Sequence, residues 1–367
     1  MKHFSVQDNL WMMRALRLAR KGLFTTGFNP RVGCVLVKDG HCIGEGWHHR
    51  CGQPHAEILA IENAETDVHD ATAYVTLEPC SHVGRTGPCV DALIGAGVAQ
   101  VVIAMIDPNP KVGGQGVKKL EEAGIKVRVG LLENEARRLN PGFVSRMEQQ
   151  RPYVRCKIAM SLDGQTALEG GQSQWITGTE SRMDVHRLRA RHTAILTGAG
   201  TVRHDNPRLT VRLPDDIDFE PPIRIVVKGK KTLNDESHIF NTDAPTWVVD
   251  AVDDVHEIPG CERHIHCAAS KGRVDLEAML RLLADHEINE LMIEAGPTLN
   301  GALLEAGLVD EVVIYQAVKI LGEQRRTPWA GMTPVRNLQD AVTMCLEDIR
   351  QVGTDIRMTF KPREGLS

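Results

Sequence analysis

Apolar residues in the first 150 positions follow two rhythms. Short runs at 32–37, 43–47, 73–77, 101–105 and 125–129 are bounded by turn residues and read as strands. Between them, 56–64, 91–96 and 117–123 read as helices, the last two stopped by Gly97 and Gly124. Asp39-Gly40 predicts a hairpin turn between the first two runs. The opening segment predicts an amphipathic helix: Ser5 and Asp8 make a capping box, Leu10, Met13, Leu16 and Leu18 favour one side, and Gly22 closes the end. A hairpin followed by alternating strands and helices implies a mixed sheet covered by helices.

The polar stretch 147–152, which ends at Pro152, is the best boundary. Beyond it the pattern restarts, with strands at 154–160, 194–197, 223–227, 246–249, 291–294 and 312–315 and helices at 182–191, 276–286 and 299–306. The expectation is two α/β domains, 1–147 and 152–367.

Composition narrows the function classes. With 42% hydrophobic and 25% charged residues the chain is an ordinary folding sequence. The net charge of −5 divides into +1 for residues 1–150 and −6 for the rest, so neither half is built to neutralise a phosphate backbone, and no nucleic-acid partner is expected. Aromatics at 4% give no stacking platform for single strands. No run approaches the ~18 uncharged apolar residues of a membrane span, and Arg14, Arg17 and Arg20 interrupt the first apolar segment, so neither a membrane partner nor a secretory signal is expected. Nine cysteines, an odd count in a long chain, point to a reducing cytoplasm where clustered thiols bind metal or pack in the core.

The strongest chemical signal is His55-Ala56-Glu57 followed by Pro79-Cys80 and Cys89. One imidazole and two thiolates suit Zn²⁺, and three protein ligands leave the open fourth position of a catalytic site. His55 and Cys80 are both expected where a strand or loop enters a helix, whose N-terminus favours a thiolate. Glu57, two residues from a ligand, is placed to carry protons, as in the zinc nucleobase deaminases with the signature H-x-E…P-C-x-x-C. Taken singly, His55 could cap a helix, Cys80 and Cys89 could be core thiols and Glu57 a surface charge. His48, His49 and His82 stand as alternative ligands. The second cysteine lies nine positions after the first, not three. A free-cytosine or transfer-RNA deaminase with an unrelated second domain, and a non-catalytic zinc scaffold, remain as other readings at this point.

The second half has no G-x-G-x-x-G run after a strand. Ala295-Gly296-Pro297-Thr298-Leu299-Asn300-Gly301 opens a helix and could present free N–H groups to an anion, although Gly-Pro before a helix is usually only a turn. Arg189 and Arg212 could hold a sugar phosphate, or lie on a solvated face.

The extended cysteine loop, Thr76-Leu77-Glu78-Pro79-Cys80-Ser81-His82-Val83-Gly84-Arg85-Thr86-Gly87-Pro88-Cys89, resembles that of the bifunctional riboflavin-biosynthesis deaminase/reductase family. Asn29-Pro30-Arg31-Val32-Gly33, Gly44-Glu45-Gly46-Trp47-His48, Ser161-Leu162-Asp163-Gly164 and Gly171-Gln172-Ser173-Gln174-Trp175-Ile176-Thr177 match the same family, so the resemblance spans nearly the whole chain. It implies a cytidine-deaminase-like three-layer domain followed by a dihydrofolate-reductase-like domain. The first would use one Zn²⁺, held by His55, Cys80 and Cys89 with Glu57 catalytic, to deaminate a diaminopyrimidinone ribosylamine phosphate contacted by Asn29, His48, Ala56 and Arg85. The second would use NADPH to reduce the ribosyl chain to ribityl. The resemblance implies a cofactor site of Ala159, Trp175, Thr201, Asp205, Gly296, Pro297, Thr298, Leu299, Asn300, Gly301 and Ala302. It implies a substrate site of Ser173, Arg189, Leu209, Arg212 and Glu294. The partners are then small molecules and a second copy of the chain, as a dimer or tetramer. Two positions depart from the family pattern: Gly87 replaces a common proline, and Lys228 stands where an aspartate is frequent, beside the cofactor contact expected at Gly229.

Overall fold

The computed structural model describes residues 4–81, 87–229, 233–251, 258–270, 272–322 and 327–363. It divides into two compact units, Met1–Gln150 with Asp218–Glu220, and Arg151–Ile217 with Pro221–Ser367.

The first unit runs α1 (Val6–Arg20), β1 (Gly33–Lys38), β2 (His41–Trp47), α2 (Ala56–Glu62), β3 (Thr72–Val75), α3 (Cys89–Gly95), β4 (Gln100–Ile103), α4 (Gln115–Glu122), β5 (Lys126–Val129), α5 (Glu133–Leu139) and α6 (Pro141–Gln149). Its sheet has the order β2-β1-β3-β4-β5; β1 is antiparallel to both neighbours, and β3, β4 and β5 are parallel. Strand alternation sends Val35, Val37, Tyr74 and Val102 to one face, where Met12, Ala15 and Ala19 of α1 cover them. It sends Cys34, Leu36, Ala73, Val75, Val101 and Ile103 to the other, under Ala56 and Ala60 of α2, Leu93 of α3 and Leu120 of α4. The result is the expected three-layer arrangement.

The expected capping box of α1 is present: Ser5 Oγ accepts from Asp8 N–H at 3.0 Å, and Asp8 accepts from Ser5 N–H at 2.8 Å. The expected face is borne out in part: Leu16 and Leu18 are buried together with Met12, Ala15 and Ala19. Met12, Ala15 and Ala19 face the sheet at i, i+3, i+7 spacing, and Leu10 and Met13 are about half exposed. The helix closes at Lys21 instead of Gly22. Residues 147–152, expected as the boundary, form the last turn of α6 and the entry to the next strand, and the two units part between Gln150 and Arg151.

The second unit runs β6 (Tyr153–Met160), α7 (Thr179–Arg191), β7 (Ala194–Gly198), α8 (Ala199–Asp205), β8 (Ile223–Val227), β9 (Thr246–Asp250), β10 (Arg263–His266), β11 (Ala269–Ser270), β12 (Arg273–Val274), α9 (Leu276–Asp285), β13 (Glu290–Ile293), α10 (Pro297–Glu305), β14 (Glu311–Gln316), β15 (Met344–Val352) and β16 (Asp355–Pro362). Nine strands form a sheet of order β10-β9-β8-β7-β13-β6-β14-β16-β15. It is parallel from β10 to β14 and antiparallel across the β15–β16 hairpin. In parallel sheets ligands sit outside the carboxyl ends of the strands. Here Ala159, Thr201 and Glu294 lie at or just beyond those ends of β6, β7 and β13.

Candidate active sites

In the first unit the site is assembled from the starts of two helices and one loop. His55 is the N-cap of α2 and, with its backbone extended, makes no side-chain cap bond, so its ring is free to serve as a ligand. Glu57 lies in the first turn of the same helix and is buried. Cys89 opens α3 behind Pro88. Cys80 lies in the connecting loop and not at a helix start, a correction to the sequence expectation. It still meets a helix N-terminus, because Cys89 N–H donates to Cys80 Sγ at 3.3 Å.

His55 Nδ1 lies 3.1 Å from Cys89 Sγ and 3.6 Å from Cys80 Sγ, and all three donor atoms are within 4.8 Å of one another. Three corners of a zinc tetrahedron with bonds of about 2.0–2.3 Å have such separations, so this donor set fits Zn²⁺. Among the described residues it is the one metal-compatible group. Cys80 is held well below the ordinary thiol range, at about 4, chiefly by the hydrogen bond from the Cys89 thiol and then by His55; that same bond and burial push Cys89 up. Glu57 is raised to about 7, first by burial and then by the charge of Cys80. His55 is raised by its contact with Cys80.

Asn29 and His48 flank this group. Asn29 Nδ2 is 2.9 Å from His48 Nε2, and His48 Nδ1 is 3.2 Å from Pro54 O. The His48 ring meets His55 edge-on at 5.3 Å, and burial holds His48 down to about 4, a neutral imidazole. Both of its ring nitrogens are engaged, by Asn29 and by Pro54 O, so it is a neighbour of the triad and not an alternative ligand. Ala56 is fully buried at the first position of α2. Arg85 and His82 lie outside the described residues.

In the second unit a cavity of about 810 Å³ is lined by twelve of the expected residues: Ala159, Ser173, Trp175, Arg189, Thr201, Asp205, Leu209, Arg212, Glu294, Gly296, Pro297 and Asn300. Thr298, Leu299, Gly301 and Ala302 are not among its lining. Thr298 is exposed, and Gly301, four residues after Pro297 and so on the same face of α10, is covered by the Gly331 backbone, whose O would stand 2.4 Å from a Cβ there. Lys157, His186 and Trp329 line the cavity without having been expected.

Glu294 is the electrostatic centre. Arg189 grips it with Nε and Nη2 at 2.5 and 3.0 Å, and Lys157 Nζ lies at 3.4 Å. Although burial opposes charge, these two cations hold Glu294 far below the usual carboxylate range. Asp205 is raised by burial. Asn300 Nδ2 donates to Ala295 O and Trp329 O, and its Oδ1 is buried without a partner. An orphan acceptor on the lining, beside Gly296 and Thr201 at a helix start, fits a cofactor rich in amide, hydroxyl and phosphate groups such as NADPH. Lys228 is not part of this lining: its Nζ is 3.2 Å from Asp250, which also meets His264 at 3.0 Å.

A zinc deaminase unit joined to a nucleotide-dependent reductase unit defines a two-reaction pyrimidine enzyme. The cytidine and deoxycytidylate deaminase zinc-binding region matches residues 5–105, and the RibD C-terminal domain matches residues 152–358. The riboflavin biosynthesis protein RibD of Escherichia coli is 46% identical over 361 residues, covering 96% of this chain and 98% of its own, and that of Haemophilus influenzae is 43% identical over 378 residues, covering 99% and 100%. The solved RibD of Acinetobacter baumannii superposes with a TM-score of 0.90 at 39% identity, covering 98% and 99% of the two chains. A Thermotoga maritima diaminohydroxyphosphoribosylaminopyrimidine deaminase/5-amino-6-(5-phosphoribosylamino)uracil reductase superposes with 0.85 at 34% identity, covering 97% and 99%. The chain belongs to the RibD family, the bifunctional deaminase/reductases of riboflavin biosynthesis, which use Zn²⁺ and NADPH.

Proposed function

We propose that residues 1–147 hydrolytically deaminate 2,5-diamino-6-(5-phosphoribosylamino)pyrimidin-4-one. Residues 152–367 then reduce the deaminated product to 5-amino-6-(5-phosphoribitylamino)uracil. The observation that carries this is the convergence of His55, Cys80 and Cys89 beside the buried Glu57. His55, Cys80 and Cys89 would hold Zn²⁺. When bound, the ion supplies Lewis acidity and acidifies water at neutral pH. Glu57 takes a proton from the attacking water, passes it to the ring nitrogen beside C2, and passes the second to the departing ammonia. A carboxyl group near neutrality can do both. Asn29 and neutral His48 read the edge of the pyrimidine, Ala56 through its backbone, and Arg85 meets the phosphate.

When bound in the second site, NADPH would supply hydride for C1′ of the ribose, the C1′–O4′ bond opening with a proton from solvent to O4′. Gly296, Pro297 and Asn300 with Ala159, Trp175, Thr201 and Asp205 would hold it. Arg212 and Arg189 bind the sugar phosphate, while Glu294 keeps Arg189 oriented; Ser173 and Leu209 complete the substrate wall.

None of the nine cysteines is in a disulfide, which supports a reducing cytoplasm. A homo-oligomer is supported by β15, an edge strand whose Leu346 and Ile349 are more than half exposed. The test of the deaminase reading is Glu57→Gln. Ammonia release should fall by about 10²–10⁴-fold while the deaminated intermediate is still reduced with NADPH. Undiminished ammonia release contradicts the assignment.

A further inference from the structure

A second buried acid beside the zinc ligands plays no part in the chemistry above. Glu78 lies two residues before Cys80 and is 5% exposed. Its carboxylate accepts four backbone N–H groups. Oε2 accepts from Asp107 at 3.1 Å and Gly114 at 2.9 Å, and Oε1 from Gly116 at 2.8 Å and Val117 at 3.1 Å. Gly114 is the N-cap of α4, and Gly116 and Val117 belong to its first turn. Glycine has no side chain to cap a helix, so Glu78 supplies the missing acceptors from a distant part of the chain and sets its charge on the positive end of α4. Its own N–H donates to Met105 O at 3.0 Å. The contact is also tight at the neighbouring residue: a Cβ on Gly116 would stand 2.3 Å from Pro79 O. The first turn of α4 therefore bears directly on Pro79, and Cys80 comes next.

We propose that Glu78 is a positioning residue for the metal centre. By clamping the segment 107–117 against Pro79, it fixes the backbone from which Cys80 presents Sγ to Zn²⁺. Hydrogen bonds to a charged acceptor are about twice as strong as neutral ones, and four converging on one carboxylate allow the loop little freedom. A glutamine at this position has the same shape but replaces one oxygen by an NH₂ that confronts two N–H donors. The inference rests on the zinc reading of the first site.

The test uses full-length Glu78→Gln. Zn²⁺ affinity is measured by chelator competition, the Co²⁺-substituted form by its d–d absorption, and reductase turnover serves as the fold control. Affinity should fall by ~10–100-fold, the usual effect of removing an outer support of a metal site, and the Co²⁺ band should change while reductase kcat/KM does not. Gly116→Ala keeps the carboxylate and crowds Pro79 O from the other side; it should alter the same band, and it carries the test if Glu78→Gln fails to fold. Zn²⁺ affinity within about twofold of the parent, with an unaltered Co²⁺ band, overturns the clamp alone. A parent protein that takes up no Zn²⁺ overturns the zinc reading and this inference together.

Discussion

The histidines of the second unit show how single residues set its pH tolerance. His192 is 3% exposed, its Nδ1 is 2.6 Å from Leu188 O, and its Nε2 faces the guanidinium of the buried Arg155. Nε2 can accept from Arg155 only in the neutral Nδ1–H form. Burial first, and then Arg155, hold His192 down to about 3, with Glu290 opposing and Arg191 assisting. Burial, with Arg189 and Arg212, holds His186 down to about 4. The unfolded chain protonates such groups near 6.5, so between about pH 6.5 and 4 it binds protons that the folded chain does not. Their contribution to stability is complete above about 6.5 and is lost as the pH falls toward about 4 for His186 and about 3 for His192. The melting temperature should therefore drop through that window, and His192→Asn should flatten the drop. An unchanged slope in a folded variant would contradict the assignment.

At the scale of elements, the decisive contact is between α10 and the segment around Trp329. Gly331 N–H donates to Pro297 O at 2.8 Å, Asn300 holds Trp329 O, and Gly301 admits the Gly331 backbone. Gly301→Ala inserts a methyl group where overpacking costs about 1–3 kcal/mol, and the displaced segment carries a wall of the cavity with it. NADPH affinity, read by fluorescence titration, should weaken by about tenfold, one decade per 1.4 kcal/mol, while ammonia release is unaffected. Equal NADPH affinity would remove α10 from the cofactor site.

What the sequence revealed follows the same physics. Strands β1, β3 and β4 of the first unit were legible because they are buried apolar runs, β2 and β5 because turn residues bound them, and His55, Glu57, Cys80 and Cys89 because their types and order are specific to one chemistry. Helices α5 and α6 were missed because their short apolar stripes are split by charges and by Asn140-Pro141. The β15–β16 hairpin was missed because β15 is exposed on both faces and so has no period-two signal. Lys157 reads as one polar position in a buried strand, and Trp329 as a core aromatic in a Pro/Gly-rich loop; only their meeting in one cavity marks them.

At the scale of the whole molecule, two different chemistries lie in two compact units, and each has its own cofactor requirement. Stripping the metal with a chelator should abolish ammonia release and leave reduction of the deaminated intermediate intact, with Zn²⁺ restoring the loss. Loss of both activities on chelation would mean that the metal supports more than the first site. The most direct measurement feeds the zinc-loaded protein 2,5-diamino-6-(5-phosphoribosylamino)pyrimidin-4-one with and without NADPH, and follows ammonia and the ribityl product separately. Ammonia should appear in both cases, and the ribityl product only when NADPH is present. NADPH oxidation with no ammonia, or ammonia that requires NADPH, would contradict a zinc hydrolysis that precedes an independent reduction.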